Sequence, residues 1–128
     1  MSDLSTGLIG KAEVVVSEQN IAKTMKSGAL EVFATPAMVA LMEEAACSAV
    51  KDYLSDEDGT VGISLNISHV APTAMNDKVI AVAKLVNIDG RKLVFEVEAN
   101  DSQKLIGKGI HERFIINNEK FMNKLLKK

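Results

Sequence analysis

Hydrophobic positions between residues 36 and 53 recur with the period of a helix. Projected at about 100° per residue, Met38, Leu41, Met42, Ala45, Ala46, Ala49 and Tyr53 fall on one apolar arc, which Val39, Ala40, Cys47 and Val50 widen. This predicts a long, largely buried helix over residues 35–53. Thr35-Pro36 marks its start, because a threonine hydroxyl caps free backbone amides and proline has none to lose at the first helical position. The polar run Ser55-Asp56-Glu57-Asp58-Gly59 ends it. Downstream the period changes to two. Val61, Ile63, Leu65 and Ile67 alternate with Gly62, Ser64, Asn66 and Ser68, the signature of a half-buried strand that Pro72 interrupts. Two further strands, 78–88 and 92–99, flank Asp89-Gly90, a hairpin dipeptide. Another strand spans 105–117, with Gly107 and Gly109 marking a bulge or a close backbone approach. Residues 8–16 form a first strand, and 119–126 form a short terminal helix. The irregular stretch 17–32 reads as a short helix or loop, and is a candidate lid.

One long helix followed by consecutive strands, with an earlier strand ahead of it, argues for an α+β fold in which an antiparallel sheet curls around the helix. At 128 residues the chain is a single domain over 1–128. Its 15 basic and 17 acidic residues give a net charge of -2, which offers no field to hold nucleic acid. Cys47 is the only cysteine, so no internal disulfide forms, and Met1-Ser2-Asp3 lacks the basic and apolar regions of a secretory leader. No uncharged apolar run approaches the roughly 18 residues that cross a bilayer. These features predict a soluble cytoplasmic protein with no membrane partner.

Two adjacent carboxylates on the helix have different surroundings. Glu44 shares a narrow polar strip with Ser48 and Lys51 and reads as a solvated side chain. Glu43 lies between Val39, Cys47 and Val50, where an ionised group needs partners or water. Two readings stay open: a carboxylate at a subunit boundary or in a buried hydrogen bond, or a catalytic group. His69 shares the odd-numbered parity of Val61 to Ile67, so in an unbroken strand it points toward the helix and favours the second reading. Thr35 sits beside free backbone amides and the positive end of the helix dipole, which polarise a carbonyl and stabilise an oxyanion. Taken alone, it reads as a capping residue.

Four stretches carry a resemblance over nearly the whole chain: Val32-Phe33-Ala34-Thr35-Pro36, Met42-Glu43-Glu44-Ala45-Ala46, the His69 segment, and Gly107-Lys108-Gly109-Ile110-His111-Glu112-Arg113. The chain resembles hotdog-fold acyl-CoA thioesterases, within the fluoroacetyl-CoA thioesterase-like group. The resemblance implies hydrolysis of a small acyl-CoA thioester by a threonine, a glutamate and a histidine, here Thr35, Glu43 and His69. It also implies a homodimer, or a tetramer as the larger alternative, with active sites at the interface. In that arrangement Gly62 approaches the thioester and Arg113 supports the site. The chain departs from the group at Lys26-Ser27-Gly28-Ala29-Leu30, where the fluoroacetyl-specific enzyme carries an aromatic lid. What carries over is the broader reaction.

In the reaction so implied, Glu43 either activates water or attacks to give an anhydride that water opens, with His69 moving protons. Two other classes remain: a non-catalytic module binding acyl-CoA or an acyl carrier protein, and an enoyl-thioester hydratase or dehydratase. Cys47, His69 and His111 have no metal-ligand spacing, and Gly107-Lys108-Gly109 lacks a nucleotide-loop context, so neither metal nor cofactor is expected. Cys47 reads as a small core residue. The basic tail 120–128 reads as a packed terminal helix. Lys78, Arg91, Lys92 and Lys108 are candidates for a rim facing the coenzyme phosphates, without one standing out.

Overall fold

The computed structural model describes residues 3–127, so Met1 and Ser2 of the N-terminal reading and Lys128 of the basic tail lie outside it. The elements run β1 (Ile9–Val15), α1 (Ala22–Met25), α2 (Thr35–Val50), β2 (Asp58–His69), β3 (Lys78–Asp89), β4 (Lys92–Asn100), β5 (Leu105–Asn117) and α3 (Asn118–Leu126). All pairings are antiparallel, in the order β1-β3-β4-β5-β2. The sheet curls around α2, the hotdog arrangement. The predicted helix loses its α-geometry after Val50 and closes with one 3₁₀ turn, Lys51–Tyr53.

The alternation of β3 and β4 places Val79, Ala81, Ala83, Leu85, Leu93, Phe95, Val97 and Ala99 inward, all buried against the helix. From α2 come Met38, Leu41, Met42, Ala45, Ala46, Ala49 and Val50. Every member of the predicted arc is buried except Tyr53, which lies past the α-helical end and is only half-buried. Small residues let the layers meet closely: a Cβ added at Gly10 would collide with the backbone of Ala45 and Ala49. Gly107 is tight for the same reason, against the thioether of Met38, and Gly109 against the backbone of Asn66 and Ile67. The sequence alternatives of bulge and close approach both occur, since Ile106 is an extra residue opposite Ala99 and Asn100.

Three local expectations change. Asp89 pairs with Lys92, so the hairpin turn is Gly90-Arg91, with only Gly90 at positive φ (61°). β2 carries a bulge at Ile63, between the paired residues Gly62 and Ser64. Inward parity therefore switches there: Thr60 and Gly62 face the helix before it, and Leu65, Ile67 and His69 after it, while Ile63 stays half exposed. Finally, α3 is capped by Asn117, whose Oδ1 accepts from the Lys120 amide at 2.9 Å, but it is not packed. Its Phe121, Met122, Leu125 and Leu126 remain 37% to 62% exposed, because the helix touches little beyond the end of β5.

The loop after His69 is tied down by Asp101, which accepts from Thr73 Oγ1 at 2.9 Å and from Lys104 Nζ at 2.7 Å. Burial pushes this carboxyl up, but Lys104, the Gln103 amide and Thr73 outweigh it and hold it down to about 2. The segment that positions His69 is thus fixed by an ionised carboxylate.

Candidate active site

Thr35 is the first residue of α2, and Ala34 is the cap residue, with extended backbone (φ -78°, ψ 142°) and no side-chain cap bond. This corrects the capping role expected for Thr35. Ala34 is placed from outside the helix, since its amide donates to the Asn20 carbonyl at 2.9 Å. The Thr35 hydroxyl is free to turn toward β2, where Oγ1 lies 2.7 Å from His69 Nδ1. Pro36 supplies no N–H, so Thr35 and Ala37 carry the unbonded amides of the first turn among the described residues.

His69 is half-buried at the end of β2, and burial holds its pKa below the ordinary histidine range, with the Ala71 backbone partly opposing. The ring is neutral at pH 7. Its Nε2 is buried without a hydrogen-bond partner among the described residues. If Nδ1 donates to Thr35, Nε2 is left as a base; if the hydroxyl donates, Nε2 carries the proton. A cavity of about 360 Å³ opens over the pair, walled by residues 27–30, Val32 and Pro72. The candidate lid of the sequence reading is therefore one wall of this cavity. No charged side chain lines it among the described residues.

A second cluster lies deeper along the helix. Arg113, 8% exposed at its side chain, donates from Nε to Thr60 Oγ1 at 2.8 Å and from Nη2 to the Thr60 carbonyl at 3.0 Å. Its Nη1 reaches His111 Nε2 at 3.1 Å and Glu43 Oε2 at 3.4 Å. Glu43 keeps 42% of its side chain exposed, so it sits at an edge of the helix rather than in the core, while Glu44 is exposed. Gly62 makes room for this group: a Cβ there would lie 2.9 Å from Glu43 Oε2 and 3.3 Å from Arg113 Nη1. Within one chain Glu43, Gly62 and Arg113 come together, as do Thr35 and His69. The two groups do not meet, because eight residues of helix separate Glu43 from Thr35 by about 12 Å.

Residues 16–119 match the fluoroacetyl-CoA-specific thioesterase family. The chain belongs to this family. The fluoroacetyl-CoA thioesterase of Streptantibioticus cattleyicolor is 41% identical over 98 residues, 77% of this chain and 70% of that one. A solved structure of the fluoroacetyl-CoA thioesterase FlK superposes with a TM-score of 0.92 at 32% identity, covering 99% of this chain and 98% of the other. A variant of the same enzyme, in complex with fluoroacetate and CoA, gives 0.86 at 34% identity over 92% and 99% of the two chains. The resemblance and the hotdog fold read from the sequence both stand.

In this thioesterase-family chain, the sequence reading passed over two residues of the second cluster. The sequence shows His111 only as part of the stretch 107–113 and as a histidine without metal spacing, and it does not single out Thr60. The available signal was parity, since His111 and Arg113 are two apart on one strand and must share a face. Cys47 is half-buried rather than in the core, with Sγ 4.0 Å from Thr60 Oγ1. Among the described residues, no group of three or more His, Cys, Asp or Glu could hold a metal ion, and no helix is long and apolar enough to cross a membrane.

Proposed function

We propose that this protein hydrolyses a small, uncharged acyl-CoA thioester to a carboxylate and free CoA, with Thr35, Glu43 and His69 as its catalytic set. The observation that carries this reading is the Thr35–His69 pair at the start of α2, opening onto a cavity with the buried Nε2 unpartnered. A buried polar atom without a partner is rare, and a substrate or water satisfies this one. The thioester carbonyl lies against the amides of Thr35 and Ala37, which stabilise the oxyanion as water adds to the carbonyl carbon. Glu43 and His69 handle the proton that water loses and the proton that the departing thiolate takes up. The same groups serve the anhydride route, in which Glu43 attacks first and water then opens the anhydride. Gly62 lets the thioester approach Glu43, and Arg113 holds that carboxylate in place.

The acting unit is a homodimer in the cytoplasm. β2 is an edge strand of twelve residues, and such an edge is a template for pairing with a second copy. Pairing about a two-fold axis brings the half-exposed Glu43 of one copy toward the Thr35–His69 pair of the other. CoA is bound by the structurally related FlK variant, and its acyl end fits the uncharged cavity here. Incubating the protein with acetyl-, propionyl-, butyryl- and crotonyl-CoA and a thiol reagent tests the reading. Stoichiometric free thiol is expected. Tight binding without thiol release would make the protein a binding module, and loss of crotonyl unsaturation without thiol would make it a hydratase.

A further inference from the structure

His111 is buried to 1% exposure, and both its ring nitrogens are engaged. Nδ1 lies 2.9 Å from the Ser64 carbonyl, which only accepts, so Nδ1 carries the proton. Nε2 is then a lone pair, and it accepts from Arg113 Nη1 at 3.1 Å. The same Nη1 supplies its other hydrogen to Glu43 Oε2 at 3.4 Å. Thr60 holds the remaining two edges of the guanidinium through its hydroxyl and carbonyl. The arginine therefore has no freedom to turn while Nε2 accepts. Remove that acceptor, and one edge of a buried cation is left without a partner.

We infer that His111 is a positioning residue, whose unprotonated Nε2 fixes Arg113 so that the arginine in turn holds Glu43 in its reactive place. This rests on the assignment of Glu43 proposed above. It follows that the site loosens in acid. A proton on Nε2 would remove the acceptor and set two cations 3.1 Å apart in a water-poor pocket. Burial holds the His111 pKa below the ordinary value of 6.5. The Ser64 carbonyl opposes that, Arg113 adds to it, and Glu43 from α2 and Glu112 from β5 oppose it. From β4 the Phe95 ring packs 6.4 Å from the imidazole. The ring is thus neutral at pH 7 and takes its proton only as pH falls below the ordinary histidine range, so the expected loss is on the acid side.

The test compares His111→Gln, whose amide oxygen accepts without titrating, with His111→Phe, which fills the space and accepts nothing. His111→Phe is expected to lower kcat about a hundredfold with little change in KM, the cost of a misplaced catalytic group. His111→Gln is expected to stay within about threefold of wild type and to lose one proton from the acid limb of the pH profile, which a merely structural histidine would not alter. Adding Arg113→Lys to His111→Phe is expected to cost little more than either change alone, because both break one chain of contacts. Crystal structures of the wild type and both variants at pH 5 and pH 8 give a readout independent of turnover. Arg113 is expected to leave Glu43 in the Phe variant at both pH values and to stay on it in wild type at pH 8. An arginine that stays on Glu43 in the Phe variant overturns the inference whether or not the protein is active. Wild-type turnover by the Phe variant, or an unchanged acid limb in the Gln variant, overturns it too. Absence of hydrolysis by the wild type, with the Arg113 movements as expected, instead overturns the proposed reaction.

Discussion

Replacing Glu43 with glutamine is expected to lower kcat for acyl-CoA hydrolysis by about a thousandfold, within the range lost when an acid–base group is removed. The amide keeps the size of the side chain and an oxygen for Arg113 Nη1, but it neither takes a proton from water nor attacks a carbonyl. Glu43 keeps 42% of its side chain exposed, so the substitution leaves the core intact and the melting temperature close to wild type. Glu44→Gln is the matched control. Glu44 is one residue away and exposed, and its variant is expected to hydrolyse within about twofold of wild type, as surface changes of this kind do little. Steady-state rates of both variants, with circular dichroism to check folding, decide the matter. Equal activity in the two would remove Glu43 from the reaction.

Replacing His69 with alanine is expected to cost about a hundredfold or more in kcat/KM. The loss removes both the buried Nε2 and the 2.7 Å partner of the Thr35 hydroxyl. Thr35→Ala is expected to cost less, because the hydroxyl acts through the imidazole that it orients. The double variant then falls no further than His69→Ala, a coupling that a double-mutant cycle measures directly. If the two losses multiply instead, Thr35 acts on substrate independently of His69. Thr35 is exposed and His69 only half-buried, so neither change opens a core cavity that would mimic a catalytic loss.

How much of this was legible in the sequence depends on whether its cause was local. The apolar arc of α2 and the alternation of β3 and β4 come from burying one face of a regular element, and a single sequence records that directly. The antiparallel sheet and the separation of Glu43 from Glu44 followed. Thr35 was misplaced by one position because the cap is fixed by contacts outside the helix, where Ala34 donates to Asn20 and Phe33 to Thr73. The Ile63 bulge was invisible for a similar reason, since it exists only in the pairing of β2 with β5. It moved Gly62 inward, while His69 kept the inward parity of Leu65 and Ile67 because no further break falls between them. The cluster of Glu43, Thr60, His111 and Arg113 draws on three elements, and its members meet only once the register of β2 and β5 is known.

The proposed active site joins two half-sites across copies of the chain, and mixing two inactive variants tests that most directly. Glu43→Gln and His69→Ala are co-expressed with different tags, and the mixed dimers are assayed for thiol release. A mixed dimer in which Glu43 of one copy serves His69 of the other has one site with both changes and one with neither. Random assembly is then expected to restore about a quarter of wild-type activity from two nearly dead proteins. If each chain used its own Glu43 and His69, every site would keep a defect. A mixture as inactive as its components would contradict the account.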